Sequence, residues 1–382
     1  MPASLALGLM SGTSLDAVDY ALCEVGGGRC ALRELWTVRF PAALRRRLHA
    51  AASGAATSWE TAQLHHDLGR FYARGARRLG SARRLARPVV VGLHGQTVFH
   101  RPGGAAPATL QLGEPAYLAE ALGVPVVSNF RAADLAAGGQ GAPLATLFHV
   151  ATFGERGRHV CVNNLGGISN VTSIDWRRGV RPRVLAFDTG PACVLPDLAM
   201  RRLTRGRRSM DRDGRWAARG RVHEGLLRGW LRHPFFRRPP PKSTGRELFG
   251  EPFLEPALAA MRRAGLRPWD QVATLTALSA ASLAENYRRH LPGPPDTVVL
   301  TGGGAANPEL AGMIGDVLRH LHPWTSVETS EERGWPLASI EPAAFALLAW
   351  RRWRGQPGNL PETTGARHAV LCGQVTEAPV RG

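Results

Sequence analysis

The stretch from Leu7 to Leu22 joins an apolar run, a turn of small polar residues (Ser11-Gly12-Thr13-Ser14), two aspartates (Asp16 and Asp19) and a second apolar run. Two apolar segments joined by so short a polar connection read as strand, tight turn, strand. Gly12 frees the backbone to turn, and the hydroxyls and N–H groups beside it suit phosphate oxygens, with a carboxylate near enough to hold a metal. The same residue types suit an ordinary hairpin turn, so the rest of the chain has to decide. The pattern returns at 160–171, where an apolar run meets Gly166-Gly167 and a second apolar run follows.

Between and after these units, short β-branched runs alternate with helical stretches. Residues 42–52 and 60–79 read as helices, and 88–92 and 125–129 as short buried strands. Residues 184–188 read as a strand ending in an acidic residue and a turn, and 297–300 as a buried strand followed by a helix over 309–320. The alternation predicts an α/β fold. The repeated opening unit predicts two similar lobes, the first over 1–150 completed by about 340–382, the second over 151–339. The Gly/Pro-rich tail from Pro357 is expected to wrap over the surface.

Composition excludes several classes. The chain has 382 residues, 44% of them hydrophobic, so it can build sizeable cores. No apolar run reaches the length of a membrane span. The N-terminus reads as a buried strand and not a signal peptide. Five cysteines without a CxxC pair argue against zinc or a disulfide framework and fit a reducing cytoplasm. The formal charge is +18, yet Lys242 is the only lysine, a skew that reads as compositional bias rather than a DNA-binding surface. Residues 201–250 carry fourteen arginines and Lys242 against Asp211, Asp213, Glu224 and Glu247, a net +11. Few aromatics interleave with them, so no nucleic-acid partner is expected. A basic flank of this kind suits anionic substrates or plain solvation.

Three glycine turns sit at strand ends: Gly12, Gly166-Gly167 and Gly302-Gly303-Gly304. None fits GxxxxGK[ST] or a dinucleotide fingerprint. A nucleotide would therefore be held as in two-lobed kinases, by turn amides and magnesium. Asp188, before Thr-Gly-Pro, is placed to act as a general base, and also to cap its own turn. Gln96 and Thr97 can bond sugar hydroxyls. Arg131 can fork a carboxylate or make a surface ion pair. Glu341 precedes an apolar helix, where it can complement the dipole or bind substrate.

Together these stretches resemble the anhydro-N-acetylmuramic acid kinase family. The matching motifs are GLMSGTSLDAVD (8–19), GLHGQTVFHRP (92–102), TLQLGEPAYLAE (109–120), NFRAADLAAGGQGAPL (129–144) and NNLGGISNVT (163–172). They continue with FDTGP (187–191), DRDGRWAARG (211–220), PPPKSTGRELF (239–249), TGGGAANP (301–308) and GNLPETTGA (358–366). The resemblance implies a two-lobed actin-like ATPase fold of sugar-kinase type with a central cleft, ATP with Mg2+, and a cytoplasmic homodimer. It implies conversion of 1,6-anhydro-N-acetylmuramic acid, ATP and water to N-acetylmuramic acid 6-phosphate and ADP, in peptidoglycan recycling. Asp188 would activate the water. Gly12, Thr13, Ser14, Leu15, Asp16, Ala17, Val18 and Asp19, with Gly166, Gly167, Gly302, Gly303, Gly304 and Asn307, would contact the nucleotide. Gln96, Thr97, Arg131 and Glu341 would hold the sugar. The metal ligands are not assigned.

The chain departs from the family pattern at Ala192-Cys193, where Gly-Asn is usual, at Pro342 in place of alanine, and at Ala17 in place of a common glycine. A related kinase acting on another sugar, or a catalytically impaired nucleotide or muropeptide sensor, are the other readings.

Overall fold

The computed structural model describes residues 3–12, 15–27, 29–83, 87–104 and 106–380. Thr13 and Ser14, both expected at the nucleotide, lie outside the described residues. The chain divides into two compact units, Met1–Thr152 with Ala338–Gly382, and Phe153–Leu337.

In the first unit, β1 (Ser4–Ser11), β2 (Ala17–Gly26) and β3 (Arg29–Arg39) form an antiparallel meander. β4 (Val90–Arg101) runs parallel to β1, β5 (Ala108–Leu112) folds back on β4, and β6 (Val126–Ser128) lies parallel to β4. β1 and the first half of β4 are covered on both faces and are nearly all apolar; the edge strand β3 alternates exposed with half-buried residues. The helix Ser58–Arg83 is opened by a reciprocal cap, Thr57 N–H to Glu60 Oε2 at 2.8 Å and Glu60 N–H to Thr57 Oγ1 at 3.2 Å. Its Leu64, Leu68, Phe71 and Tyr72 form one buried stripe that packs with Leu22, Val18 and Tyr20 of β2.

The second unit repeats the plan. β7 (His159–Leu165), β8 (Ile168–Asp175) and β9 (Arg183–Pro191) form the meander; β10 (Thr297–Thr301) is parallel to β7 and β11 (Ser326–Thr329) parallel to β10. The spatial order β9-β8-β7-β10-β11 matches β3-β2-β1-β4-β6 of the first unit. This is the duplicated α/β plan of the actin-like ATPases expected above. Buried faces of the helices Pro268–His290 and Pro308–Leu321 fill the core beside Cys161, Val298 and Leu300.

The chain then returns to the first sheet. The helix Ile340–Trp353 lies across β1 and β4, where Gly8 and Gly92 are register partners. A Cβ on Gly8 would stand 1.8 Å from the Pro342 carbonyl oxygen, and one on Gly92 2.2 Å from that of Phe345. Only a side-chain-free pair admits the helix at this depth.

Three sequence expectations need correction. β4 does not end near Gly92 but runs on to Arg101, bending at Gly95, whose φ is 78°. β9 does not stop at Asp188 but pairs with β8 as far as Pro191. The tail is no surface wrap: Asn359, Thr364 and Cys372 are buried, and β12 (Gln374–Thr376) closes the sheet against β6. Among the described residues no helix is long and apolar enough to cross a membrane.

Gly8→Ala should cost about 2 kcal/mol or more, since the added methyl meets backbone that cannot yield. Gly312→Ala, in open space on the helix Pro308–Leu321, should instead be neutral or stabilising by up to about 1 kcal/mol. Thermal unfolding of the two variants beside the parent checks both.

Candidate functional site

The first glycine turn is braced from β4. Gln96 is fully buried and its Nε2 donates to the Gly12 carbonyl at 3.2 Å and to that of Thr97 at 3.3 Å, while its Oε1 has no partner among the described residues. Leu15 N–H closes the turn on the Gly12 carbonyl at 3.3 Å. Leu15 takes a left-handed φ of 57°, held there by a side chain buried in the core. Val18 also points into that core. Leu15 and Val18 therefore offer a ligand only their backbone, and among the described residues of the turn Gly12, Asp16 and Asp19 lie outside that core. Asp19 Oδ1 accepts from Thr37 Oγ1 at 2.5 Å. Burial raises the Asp19 carboxyl above the usual range, Thr37 opposes the rise, and neighbouring Asp16 adds to it. Thr97 Oγ1 accepts from Gln111 Nε2 at 3.3 Å across the β4–β5 hairpin.

Arg131 follows β6 and starts the helix Ala132–Ala136. Its Nη1 donates to the Gly141 carbonyl at 2.7 Å and its Nη2 lies 2.8 Å from His94 Nε2; its Nε is buried without a partner among the described residues. Burial pulls its pKa down to about 10, with Glu341 and Asp134 pulling the other way, so it stays cationic at neutral pH. Behind it, buried Asp134 accepts from Gly141 N–H, Asn359 Nδ2 and Thr364 Oγ1, each at 2.7 Å. The tail motif thus builds the support of Arg131. Glu341, in the first turn of its helix, keeps an exposed side chain although protein crowds its carboxyl. That crowding raises its pKa, Arg131 lowers it, and Asp19 raises it further. Arg131, Glu341 and Asp19 therefore share one electrostatic neighbourhood.

In the second unit the β7–β8 turn is bonded from below. Cys193 N–H donates to the Gly166 carbonyl at 3.0 Å, and Ala192 and Val194 N–H to that of Gly167 at 3.0 and 3.1 Å. The turn after β10 closes on the same place: a Cβ on Gly302 would stand 2.2 Å from Asn164 Oδ1, and one on Gly304 2.7 Å from Cys193 Sγ. Gly303 faces open space. Asn307 Oδ1 caps its own helix, accepting from Glu309 and Leu310 N–H at 3.1 and 3.2 Å. The unusual pair Ala192-Cys193 acts through main-chain groups here, and Cys193 makes no side-chain cap. Burial pushes its thiol up to about 12, with Asp197 adding to the shift, so it is an inert thiol.

Asp188 sits on β9 opposite Asn170. Its N–H donates to the Lys242 carbonyl at 3.1 Å, and its Oδ2 accepts from Thr244 N–H at 2.8 Å. Burial raises its pKa to about 6; the Thr244 bond opposes, Glu247 adds, and Lys242 opposes. A carboxylate so raised is ionised at neutral pH and a better proton acceptor than an ordinary one. Lys242 is itself buried, its Nζ donating to the Phe235 carbonyl at 3.1 Å and lying over the Phe235 ring at 4.7 Å. Burial, reinforced by Arg238, pulls its pKa to about 8, with Asp188 opposing. Sequence reasoning passed over Lys242 and Thr244 because PKSTG lacks a P-loop context. The available signal was a single lysine kept in a chain whose other fixed cations are arginines.

The model of the family described as anhydro-N-acetylmuramic acid kinase matches residues 4–378. The chain is 43% identical to the anhydro-N-acetylmuramic acid kinase of Gloeobacter violaceus over 99% of this chain and 100% of that one. It is 40% identical to the protein of that name from Crocosphaera subtropica, over 97% and 98%. Among solved structures it is similar to the activator of 2-hydroxyisocaproyl-CoA dehydratase from Clostridium difficile, with bound ADPNP. That likeness has a TM-score of 0.45 at 12% identity, covering 92% of this chain and 96% of that one.

The raised Asp188 fixes a sign for stability. Its native pKa of about 6 lies above the ordinary 3.8, so ionisation costs the folded state. That cost sets in as pH rises through 3.8 and is complete well above pH 6. Asp188→Asn, which keeps an acceptor for Thr244, should therefore stabilise the fold at pH 8 by about 1–3 kcal/mol. The gain should shrink as pH falls through about 6 and disappear below 3.8, in urea melts across that range.

Proposed function

The chain belongs to the anhydro-N-acetylmuramic acid kinase family, and from that premise we propose that it opens 1,6-anhydro-N-acetylmuramic acid with water and phosphorylates the freed O6 from ATP. The products are N-acetylmuramic acid 6-phosphate and ADP, and the step serves peptidoglycan recycling. The observation that carries the reading at the site is Asp188: an ionised carboxylate made more basic by burial and aimed by the Thr244 amide.

Asp188 takes a proton from water as the water oxygen attacks the anomeric carbon. The bond from that carbon to O6 breaks, and O6 then attacks the γ-phosphorus. Opening the bicyclic acetal thus frees the oxygen that is phosphorylated. Arg131 receives the lactyl carboxylate, a role supported by its cationic state and its partnerless, buried Nε–H. Glu341 and Thr97 hold hydroxyls. Gln96 braces the Gly12 turn through Nε2 and has its Oε1 left for a sugar hydroxyl. Backbone groups of Gly12 and Leu15, of Gly166 and Gly167, and of Gly302–Gly304 contact the nucleotide. Asn307 contributes by capping the helix that follows the third turn.

The donor set near Gly12 fits a magnesium ion. Asp16 raises the cost of ionising Asp19, which a divalent cation relieves, and Mg2+ uses one or two carboxylates with phosphate oxygens. When bound it would neutralise charge developing on the β- and γ-phosphates. A cytoplasmic homodimer, implied by the resemblance, belongs to the same proposal, and light scattering measures the oligomeric state.

ADP release should depend on the anhydrosugar; none at high enzyme concentration would sink the reading. Better turnover with another sugar would favour the related kinase, and binding without turnover the sensor. Asp188→Asn should lower kcat about 10²–10⁴-fold with ATP affinity by calorimetry little changed, and near-normal turnover would remove Asp188 from the mechanism.

A further inference from the structure

We propose that His94 is a positioning residue for sugar binding: its neutral ring accepts a hydrogen bond from Arg131 and fixes the guanidinium in the orientation that receives the substrate carboxylate. The inference rests on the reading that Arg131 binds the sugar.

Two contacts define the ring. His94 Nδ1 lies 2.7 Å from the Gly95 carbonyl oxygen, which can only accept, so Nδ1 carries the proton. His94 Nε2 lies 2.8 Å from Arg131 Nη2, which can only donate, so Nε2 offers its lone pair. Both contacts require the same neutral tautomer. The ring is 3% exposed and packs on Phe345 with centroids 4.5 Å apart. Burial and the Arg131 charge both hold its basicity well below the usual histidine range, which keeps it an acceptor.

The other end of the guanidinium is held by the Gly141 carbonyl at 2.7 Å, itself fixed through Asp134. Both terminal nitrogens are thus tied down while Nε–H has no partner among the described residues. An arginine immobilised in this way loses little further entropy when a ligand arrives. The choice of a histidine has a physical reason. A carboxylate in its place would neutralise Arg131 and compete with the ligand's own carboxylate. A neutral acceptor orients the cation and leaves its charge available.

The test is steady-state kinetics of His94→Leu, His94→Gln, Arg131→Ala and the Leu/Ala double variant, with saturating ATP and varied anhydrosugar. His94→Leu should raise the sugar KM about tenfold, the loss of one charge-assisted hydrogen bond, with kcat and the ATP KM nearly unchanged. His94→Gln, whose amide oxygen can accept from Arg131, should recover most of the loss. His94→Leu should add nothing in the Arg131→Ala background. An unchanged sugar KM in His94→Leu, with Arg131→Ala impaired, overturns the role of His94, as does an equal loss in kcat and the ATP KM. An unchanged KM in Arg131→Ala overturns the reading of Arg131 instead. Should His94→Leu not fold, 15N NMR of the parent protein decides: the Nδ1–H tautomer persisting to pH 5 is expected, and an Nε2–H or doubly protonated ring overturns the proposal.

Discussion

How closely the helix Ile340–Trp353 approaches β1 and β4 governs the first unit. Gly8 and Gly92 face each other across the parallel pair, and each leaves room for a main-chain carbonyl where a methyl group would collide. With the helix at that depth, Glu341 and Phe345 fall one turn apart on one face. Phe345 then packs on His94 and Phe130, the residues flanking the Arg131 guanidinium in space and in sequence. A backbone contact without polar chemistry thereby sets the spacing of the charged groups above it.

The second unit reaches comparable order by another route. Its first turn is held by three main-chain amides from the start of the helix Val194–Leu203, and its last turn by close approach of Gly302 and Gly304 to residues 164–165 and 193. Because these bonds come from the backbone, the exchange of Gly-Asn for Ala192-Cys193 leaves the turn intact. Ala192 is fully buried and its carbonyl accepts from Ser279 Oγ at 2.7 Å, so its methyl is absorbed in the core.

Much of this was legible in the sequence. The repeated strand–glycine turn–strand units gave both meanders, and hydrophobic spacing placed the helices at 42–52 and 309–320 within a residue or two of their observed bounds. What escaped depends on partners distant in the chain. β4 and β9 run past their apolar cores because β5 and β8 supply ladder bonds that single-strand patterning does not reveal. The tail reads as loop by composition, yet Asn359 and Thr364 are drawn inward by one buried carboxylate, Asp134. At the site, residue type marks Gln96 for the sugar and the family resemblance marks Asn307 for the nucleotide, and each gives its side chain to a neighbouring turn or helix. Lys242 and His94 lie inside two of the matching motifs, but residue type alone gives neither a role; their significance lies in burial beside a charged neighbour.

The buried Lys242 has a consequence for the outside of the molecule. As the chain's single lysine, it withdraws the only side-chain amine from solvent, so the basic surface is written in guanidinium alone. Acylation of amines, which erases charge on most basic proteins, has almost nothing to act on here, and rising alkalinity does not discharge arginine until far above physiological pH. Above the range in which histidines titrate, the positive field around this enzyme is therefore close to a constant of its covalent structure, with the Lys242 ammonium beside Asp188 as its single side-chain amine.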